Sequence, residues 1–206
     1  MAEPDMRLDG ASVGMAPTPT DDGLPRRFSD FETLGDALDY AAQGVRGLNF
    51  HDPRGALLRA YPFAELREDA LLAARRLIAA GIAPRDRVAL IAETSAEFAA
   101  LFFGTVYAGA WPVPLPLPTS FGGKEAYIDQ LAVQLASSDP VLLLHPEELT
   151  AMAEAAAATR SIASVSYEAL AAEKAEPAPL PPASPDDICY LQYSSGSTRF
   201  PHGVAI

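Results

Sequence analysis

The sequence contains one cysteine, Cys189, among its 206 residues, so an internal disulfide is excluded. Cys189 sits in an apolar run and reads as a strand residue in a reducing, cytoplasmic setting, with no histidine placed beside it to make a catalytic pair. Basic residues are in deficit. The formal net charge of -12 excludes the basic face that a nucleic-acid binder needs. No apolar run approaches the roughly 18 residues of a membrane helix. The start is acidic and proline-rich, without the basic and then apolar order of a signal peptide. The three histidines form no cluster with cysteine at metal-ligand spacing. Gly-x-Ser-x-Gly is absent, and no Ser-His-Asp set can be placed. No internal repeat is present.

What is there is an ordinary globular composition, 49% hydrophobic and 20% charged. Residues 1–27, rich in Pro, Gly, Asp and Thr, show no periodicity and read as a disordered arm. Helical spacing of Phe31, Leu34, Ala37, Leu38 and Ala41 predicts a helix from Phe28 to Gly44. Gly47–His51 and Leu57–Tyr61 read as a hairpin around the turn Asp52-Pro53-Arg54-Gly55. A helix follows from Phe63 to Ala80, opened by Pro62 and closed by Gly81, with Leu66, Ala70, Ala73, Ala74 and Leu77 as its buried stripe. The unalternating apolar run Arg87–Ala92 predicts a strand buried on both faces. Thr94 and Glu97 fit a capping box for a helix to Ala108, apolar nearly all round and therefore expected to be well buried.

The alternating prolines of Ala110–Pro118 exclude a helix and a central ladder, leaving an extended strand exit. Further helices are predicted over Lys124–Ser137 and Pro146–Thr159, and strands over Val141–Leu144 and Ile162–Val165. Strands alternating with helices predict an α/β fold with a largely parallel sheet flanked by helices. Residues 28–170 form this unit. Residues 171–186 read as a Pro/Ala/Glu linker. Residues 187–206 form a strand and loop that begin a second unit.

That strand, Asp187–Tyr193, delivers the loop Ser194-Ser195-Gly196-Ser197-Thr198-Arg199-Phe200-Pro201-His202-Gly203. Its hydroxyls and backbone N–H groups suit an anion, its glycines allow close approach, and Arg199 can grip phosphate in a bidentate fashion. A Walker-type loop is excluded: the glycines lie seven apart, no lysine follows, and Gly203-Val204-Ala205-Ile206 reads as a strand. A Ser/Gly-rich hairpin turn without a ligand is the alternative on composition. His202 can contact phosphate or cap a turn. His51 and His145, each beside a strand end, read as structural.

Tyr193-Ser-Ser-Gly-Ser-Thr198 followed by Pro201-x-Gly203 resembles the signature loop of the adenylate-forming enzymes: acyl-CoA synthetases, luciferases and nonribosomal adenylation domains. Most of these have glycine after the threonine and lysine after the proline, where this sequence has Arg199 and His202. Arg199 after Leu191-Gln192-Tyr193 is similar to the fatty acyl-AMP ligase branch. Tyr61–Leu66, Asp86–Leu90, Ser95–Phe98, Phe103-Gly104, Ala108–Ala110 and Val113–Leu115 resemble that family's opening subdomain. The resemblance covers about Phe28 to Ile206.

The resemblance implies a two-step reaction with ATP and Mg²⁺. A fatty carboxylate attacks the α-phosphate, pyrophosphate leaves, and the acyl group passes to a carrier-protein phosphopantetheine. The carrier is an acyl carrier protein or a polyketide synthase. By resemblance, Ser194, Ser195, Gly196, Ser197, Thr198, Arg199 and Gly203 hold the departing phosphates, while the family's catalytic lysine and adenine- and ribose-binding segments lie downstream. The chain therefore reads as an N-terminal fragment that holds no complete catalytic set and does not adenylate alone. The alternatives are an acyl- or aryl-CoA ligase and a non-catalytic interaction module that retains the fold. Uncovered apolar surface would favour a homodimer of the fragment.

Overall fold

The computed structural model describes residues 24–27, 30–118, 123–193 and 203–206. The arm read over residues 1–27 thus lies almost wholly outside the described residues. Helix α1 (Leu34–Ala41) begins later than the periodicity predicts. Thr33 caps it: its Oγ1 accepts from Asp36 N at 3.1 Å, and Asp36 Oδ2 accepts from Thr33 N at 3.1 Å. The reciprocal cap defines the helix start more sharply than the apolar spacing does.

Strands β1 (Gly47–His51) and β2 (Leu57–Pro62) pair antiparallel, with Asp52 Oδ1 accepting from Arg54 N and Ala56 N, both at 2.8 Å, inside the turn. Helix α2 (Phe63–Ala79) buries the five predicted residues Leu66, Ala70, Ala73, Ala74 and Leu77. Pro62 is its N-cap rather than its first helical residue. Strand β3 (Arg87–Ile91) is buried from Val88 onward. Helix α3 (Ala96–Tyr107) is capped by Ser95, not Thr94: Ser95 Oγ accepts from Phe98 N at 3.1 Å.

Strand β4 (Trp111–Leu115) pairs parallel with β3 despite its prolines. It stands at one end of the sheet order β4-β3-β5-β6. Pro112 and Pro114 alternate with Trp111, Val113 and Leu115, so the missing N–H groups fall on one side of the strand. Trp111 N still donates to Asp86 O at 2.7 Å. Helix α4 (Gly123–Ser138), strand β5 (Leu142–His145), a 3₁₀ turn (Glu147–Leu149), helix α5 (Thr150–Ala158) and strand β6 (Ala163–Ser166) follow. A short helix α6 (Tyr167–Ala172), capped by Ser166 and not predicted, reaches into the segment read as a linker. It ties back to the sheet through Tyr167, whose hydroxyl donates to Ile91 O.

The four-stranded sheet is parallel and covered on both faces. Val88, Leu90, Leu142 and Leu144 face a core shared with α2, α3 and α6. Ala89, Ile91, Val113 and Leu143 face a second core shared with α4 and α5. Successive residues of β3 thus serve opposite layers, which is why its sequence shows no polar alternation. Helix α3 is less buried than its composition predicts. Ala96, Ala100, Leu101, Gly104 and Thr105 are buried, while Phe98, Phe102 and Tyr107 are only partly so. Phe102 is instead used outward, edge-on to Phe103 and to Tyr190 at centroid separations of 5.7 and 5.6 Å.

Candidate functional site

The chain reaches the candidate loop through strand β7 (Leu191–Tyr193) and leaves it through β8 (Gly203–Ala205). The regular strand is shorter than the predicted Asp187–Tyr193. The two strands pair antiparallel, Leu191 with Ala205, Gln192 with Val204 and Tyr193 with Gly203. Backbone bonds continue beyond them: Cys189 N donates to Ile206 O at 2.7 Å and Ile206 N to Tyr190 O at 3.0 Å. Ser194, Ser195, Gly196, Ser197, Thr198, Arg199 and His202 lie outside the described residues, so of the predicted site residues only Gly203 is located. It forms the rung next to the loop, opposite Tyr193. A Cβ at Gly203 would stand 3.4 Å from Tyr193 Cζ, an ordinary contact.

Two opposite anchors hold the stem to the body. β7 lies alongside β4, and Leu191 and Tyr193 pack against the α4/α5 core. Tyr190 turns the other way onto Phe102 of α3. Tyr193 adds a polar tie: its hydroxyl donates to Gln134 O on α4 at 3.3 Å. The same carbonyl accepts from Ser138 Oγ at 2.8 Å. Gln134 itself is buried, and its Oε1 has no hydrogen-bond partner among the described residues. Sequence reasoning placed Tyr193 at the end of a strand and at the head of the signature loop, with no part assigned to its own ring and hydroxyl. The signal it passed over was a polar-tipped aromatic placed immediately before the hydroxyl run.

At the carboxyl ends of the sheet strands, where α/β folds commonly bind ligands, lie Glu93, His145 and Tyr167. Burial, and secondarily the neighbouring Glu148, push the Glu93 carboxyl up. His145 closes β5 in a buried setting, its Nδ1 2.9 Å from Pro146 O. The carbonyl can only accept, so Nδ1 carries the proton. This matches the structural role expected of His145. Cys189 lies before β7 rather than within it and is partly exposed. Burial pushes its thiol up, which disfavours the thiolate a nucleophile requires.

The described residues include no group of three or more His, Cys, Asp or Glu that could hold a metal. The loop to which the resemblance assigns the ATP phosphates lies outside the described residues, and no step is assigned to Mg²⁺. None of the described helices is long and apolar enough to cross a membrane. A groove of about 950 Å³ borders Trp111, Pro181, Ile188, Cys189, Tyr190 and Ile206. It lies at the end of the hairpin away from the loop.

The family model described as AMP-binding enzyme matches residues 55–206. A presumed acyl-CoA synthetase of Caulobacter vibrioides is 44% identical over 189 residues, covering 92% of this chain and 33% of the relative. A 4-hydroxybenzoate–CoA/benzoate–CoA ligase of Rhodopseudomonas palustris is 30% identical over 187 residues, covering 85% of this chain and 33% of the relative. A solved structure from studies of the fatty acyl-adenylate ligases of E. coli and L. pneumophila aligns with a TM-score of 0.83 at 40% identity, covering 88% of this chain and 33% of that one. The chain thus spans about a third of the length of these relatives. The α/β body with its parallel four-stranded sheet is the one the sequence predicts, and its neighbours are adenylate-forming enzymes. With the family model covering most of the chain and ending on the hairpin just described, this protein belongs to the AMP-binding enzymes.

Proposed function

We propose that this chain is the phosphate-binding first third of a cytoplasmic fatty acyl-AMP ligase. The observation that carries the reading is the 40% identity at a TM-score of 0.83 to a structure from the fatty acyl-adenylate ligases. It is joined by a hairpin stem that frames the Ser194–Arg199 run. In the reaction a fatty carboxylate oxygen attacks the α-phosphorus of ATP. The bond from that phosphorus to the bridging oxygen breaks, and pyrophosphate carries away the electron pair. Charge grows on the leaving phosphates. Donors already aimed at them lower the barrier, because they need not reorient as the charge develops.

The hydroxyls of Ser194, Ser195, Ser197 and Thr198, backbone N–H groups near Gly196 and Gly203, and the guanidinium of Arg199 supply such donors. The acyl group then passes to the phosphopantetheine thiol of an acyl carrier protein or polyketide synthase. An acyl- or aryl-CoA ligase is the second reading, favoured by the identities to the Caulobacter and Rhodopseudomonas proteins. Val204 and Ile206, each about half exposed beside β8, support self-association of the isolated chain, which light scattering across concentrations would read.

The test is to extend the polypeptide through its reading frame past Ile206 and follow fatty-acid-dependent pyrophosphate exchange. Carrier protein and CoA are then offered separately. Exchange followed by transfer to the carrier alone is expected. Transfer to CoA alone would refute the acyl-AMP ligase branch, and absence of exchange would refute the activity. Arg199→Ala in that polypeptide should lower adenylation about tenfold or more, through the loss of a charge-assisted contact. The 206-residue chain alone should show no exchange.

A further inference from the structure

Tyr193 and Gly203 are the two residues from which the 194–202 connection departs and to which it returns, and they face each other on one rung. Whatever conformation the loop adopts, both of its ends are set by this pair. Tyr193 acts on the pair in two ways. Its ring covers Gly203, with Cζ, Cε1 and Oη only 3.4, 3.6 and 3.6 Å from where a Cβ would stand. Its hydroxyl reaches across to α4 and donates to Gln134 O at 3.3 Å. The other wall of the contact is rigid: α4 packs through Tyr127, Leu131 and Leu135 into the core beneath the sheet. One side chain therefore fixes the loop's departure and its return relative to the body of the protein.

We infer that Tyr193 is a positioning residue for the phosphate loop, holding both loop ends, Tyr193 and Gly203, in register with α4. This rests on the phosphate-binding reading of residues 194–202. Two features separate positioning from bulk stability. At 3.3 Å the tie is longer than the usual O–H···O bond, so it adds little to overall stability. Its acceptor also takes Ser138 Oγ, so loss of the tyrosine hydroxyl leaves no buried carbonyl unpaired.

The test uses the 206-residue chain, titrated with pyrophosphate and followed by NMR. Amide exchange at Val204 and Ala205 and thermal unfolding are measured in parallel. Tyr193→Phe removes only the hydroxyl, and Tyr193→Leu removes the ring cover as well. The expected result is pyrophosphate binding weakened about two- to threefold by Tyr193→Phe, the low end of the range for one hydrogen bond. Tyr193→Leu should weaken it further. Exchange at Val204 and Ala205 should quicken in both, while the Tyr193→Phe midpoint stays close to wild type. Unchanged affinity in Tyr193→Phe beside normal wild-type binding would overturn the positioning role alone. So would a fall in unfolding temperature that fully accounts for lost binding. Failure of the wild-type chain to bind pyrophosphate would overturn the phosphate reading itself, and the inference with it.

Discussion

Helices α2 and α3 approach so closely that position 104 has no room for a methyl group. A Cβ on Gly104 would stand 2.6 Å from Ala73 Cβ, 2.9 Å from Ala70 O and 3.2 Å from Ala74 N. Carbon atoms pack best about 3.5–4.0 Å apart, so Gly104→Ala is short by about 1 Å. Two of the three obstacles are α2 backbone, and rotamer changes cannot relieve them. The helices must part along a contact that includes the buried Ala70, Ala73, Ala74, Ala100 and Leu101. Overpacking of this kind costs about 1–3 kcal/mol. Against it stands the helix propensity of alanine over glycine, about 1 kcal/mol. Because backbone cannot step aside, the cost falls in the upper part of that range, about 2–3 kcal/mol, and the clash wins by about 1–2 kcal/mol net. At about 2–4 °C per kcal/mol for a domain of this size, the unfolding midpoint should fall by about 2–8 °C in a calorimetric scan. Ala73→Gly in the same chain removes the closest contact, so the two substitutions should couple favourably by about 1 kcal/mol in a double-mutant cycle. A Gly104→Ala midpoint at or above wild type would show that propensity outweighs packing here, and would refute the reasoning.

Burial pushes the Tyr127 phenol up to about 12 from an ordinary value near 10. The fold favours the neutral phenol, so this contribution is complete below about pH 10 and is lost as pH rises through about 12. Tyr61, Tyr107 and Tyr167 are pushed upward by burial as well, so alkaline unfolding should begin above about pH 10. A phenolate absorbance titration of the wild type minus that of Tyr127→Phe isolates the Tyr127 step, and a difference step near pH 10 would contradict the burial. Gln134 carries a buried Oε1 without a partner among the described residues. Replacing it with methionine removes an unsatisfied acceptor worth about 1 kcal/mol or more, and urea unfolding should show equal or greater stability. A clear loss would mean that the amide has a partner which the fold hides.

Much of the body was legible because its elements satisfy the same rule at several levels. The α2 stripe was fully recovered, since its five apolar residues repeat at helical spacing and its ends carry proline and glycine. Strand β3 was legible as doubly buried because it lacks alternation. The misses have local causes. Ser95 and Thr94 are both good caps, and sequence cannot say which hydroxyl reaches Phe98 N. Helix α6 spans only Tyr167–Ala172, too short for periodicity to register, and it is held by the Tyr167 hydroxyl on Ile91 O rather than by its own pattern. The outward placement of Phe102 meets Tyr190, far away in sequence.

The candidate site divides in the same way. The sequence offers residue types that suit an anion, with hydroxyls, glycine and arginine in one short run, beside the alternative of a Ser/Gly-rich turn. The support of the site was not legible, because it comes from both faces of the sheet. Tyr190 docks on α3 and Tyr193 on α4, three residues apart on a strand that turns alternate side chains to opposite layers. That arrangement ties the hairpin to helix α3 on one side and to the α4/α5 core on the other. A shift of either helix layer therefore reaches the loop stem through a different tyrosine. Substitutions in the α2/α3 layer, Gly104→Ala included, should disturb the Tyr190 side of the stem and leave the Tyr193 rung in register. Amide exchange can separate the two: Ile206, bonded to Tyr190 O, should quicken while Gly203–Ala205 hold. Equal quickening along all four residues would show that the stem moves as one piece and that the two anchors are not independent.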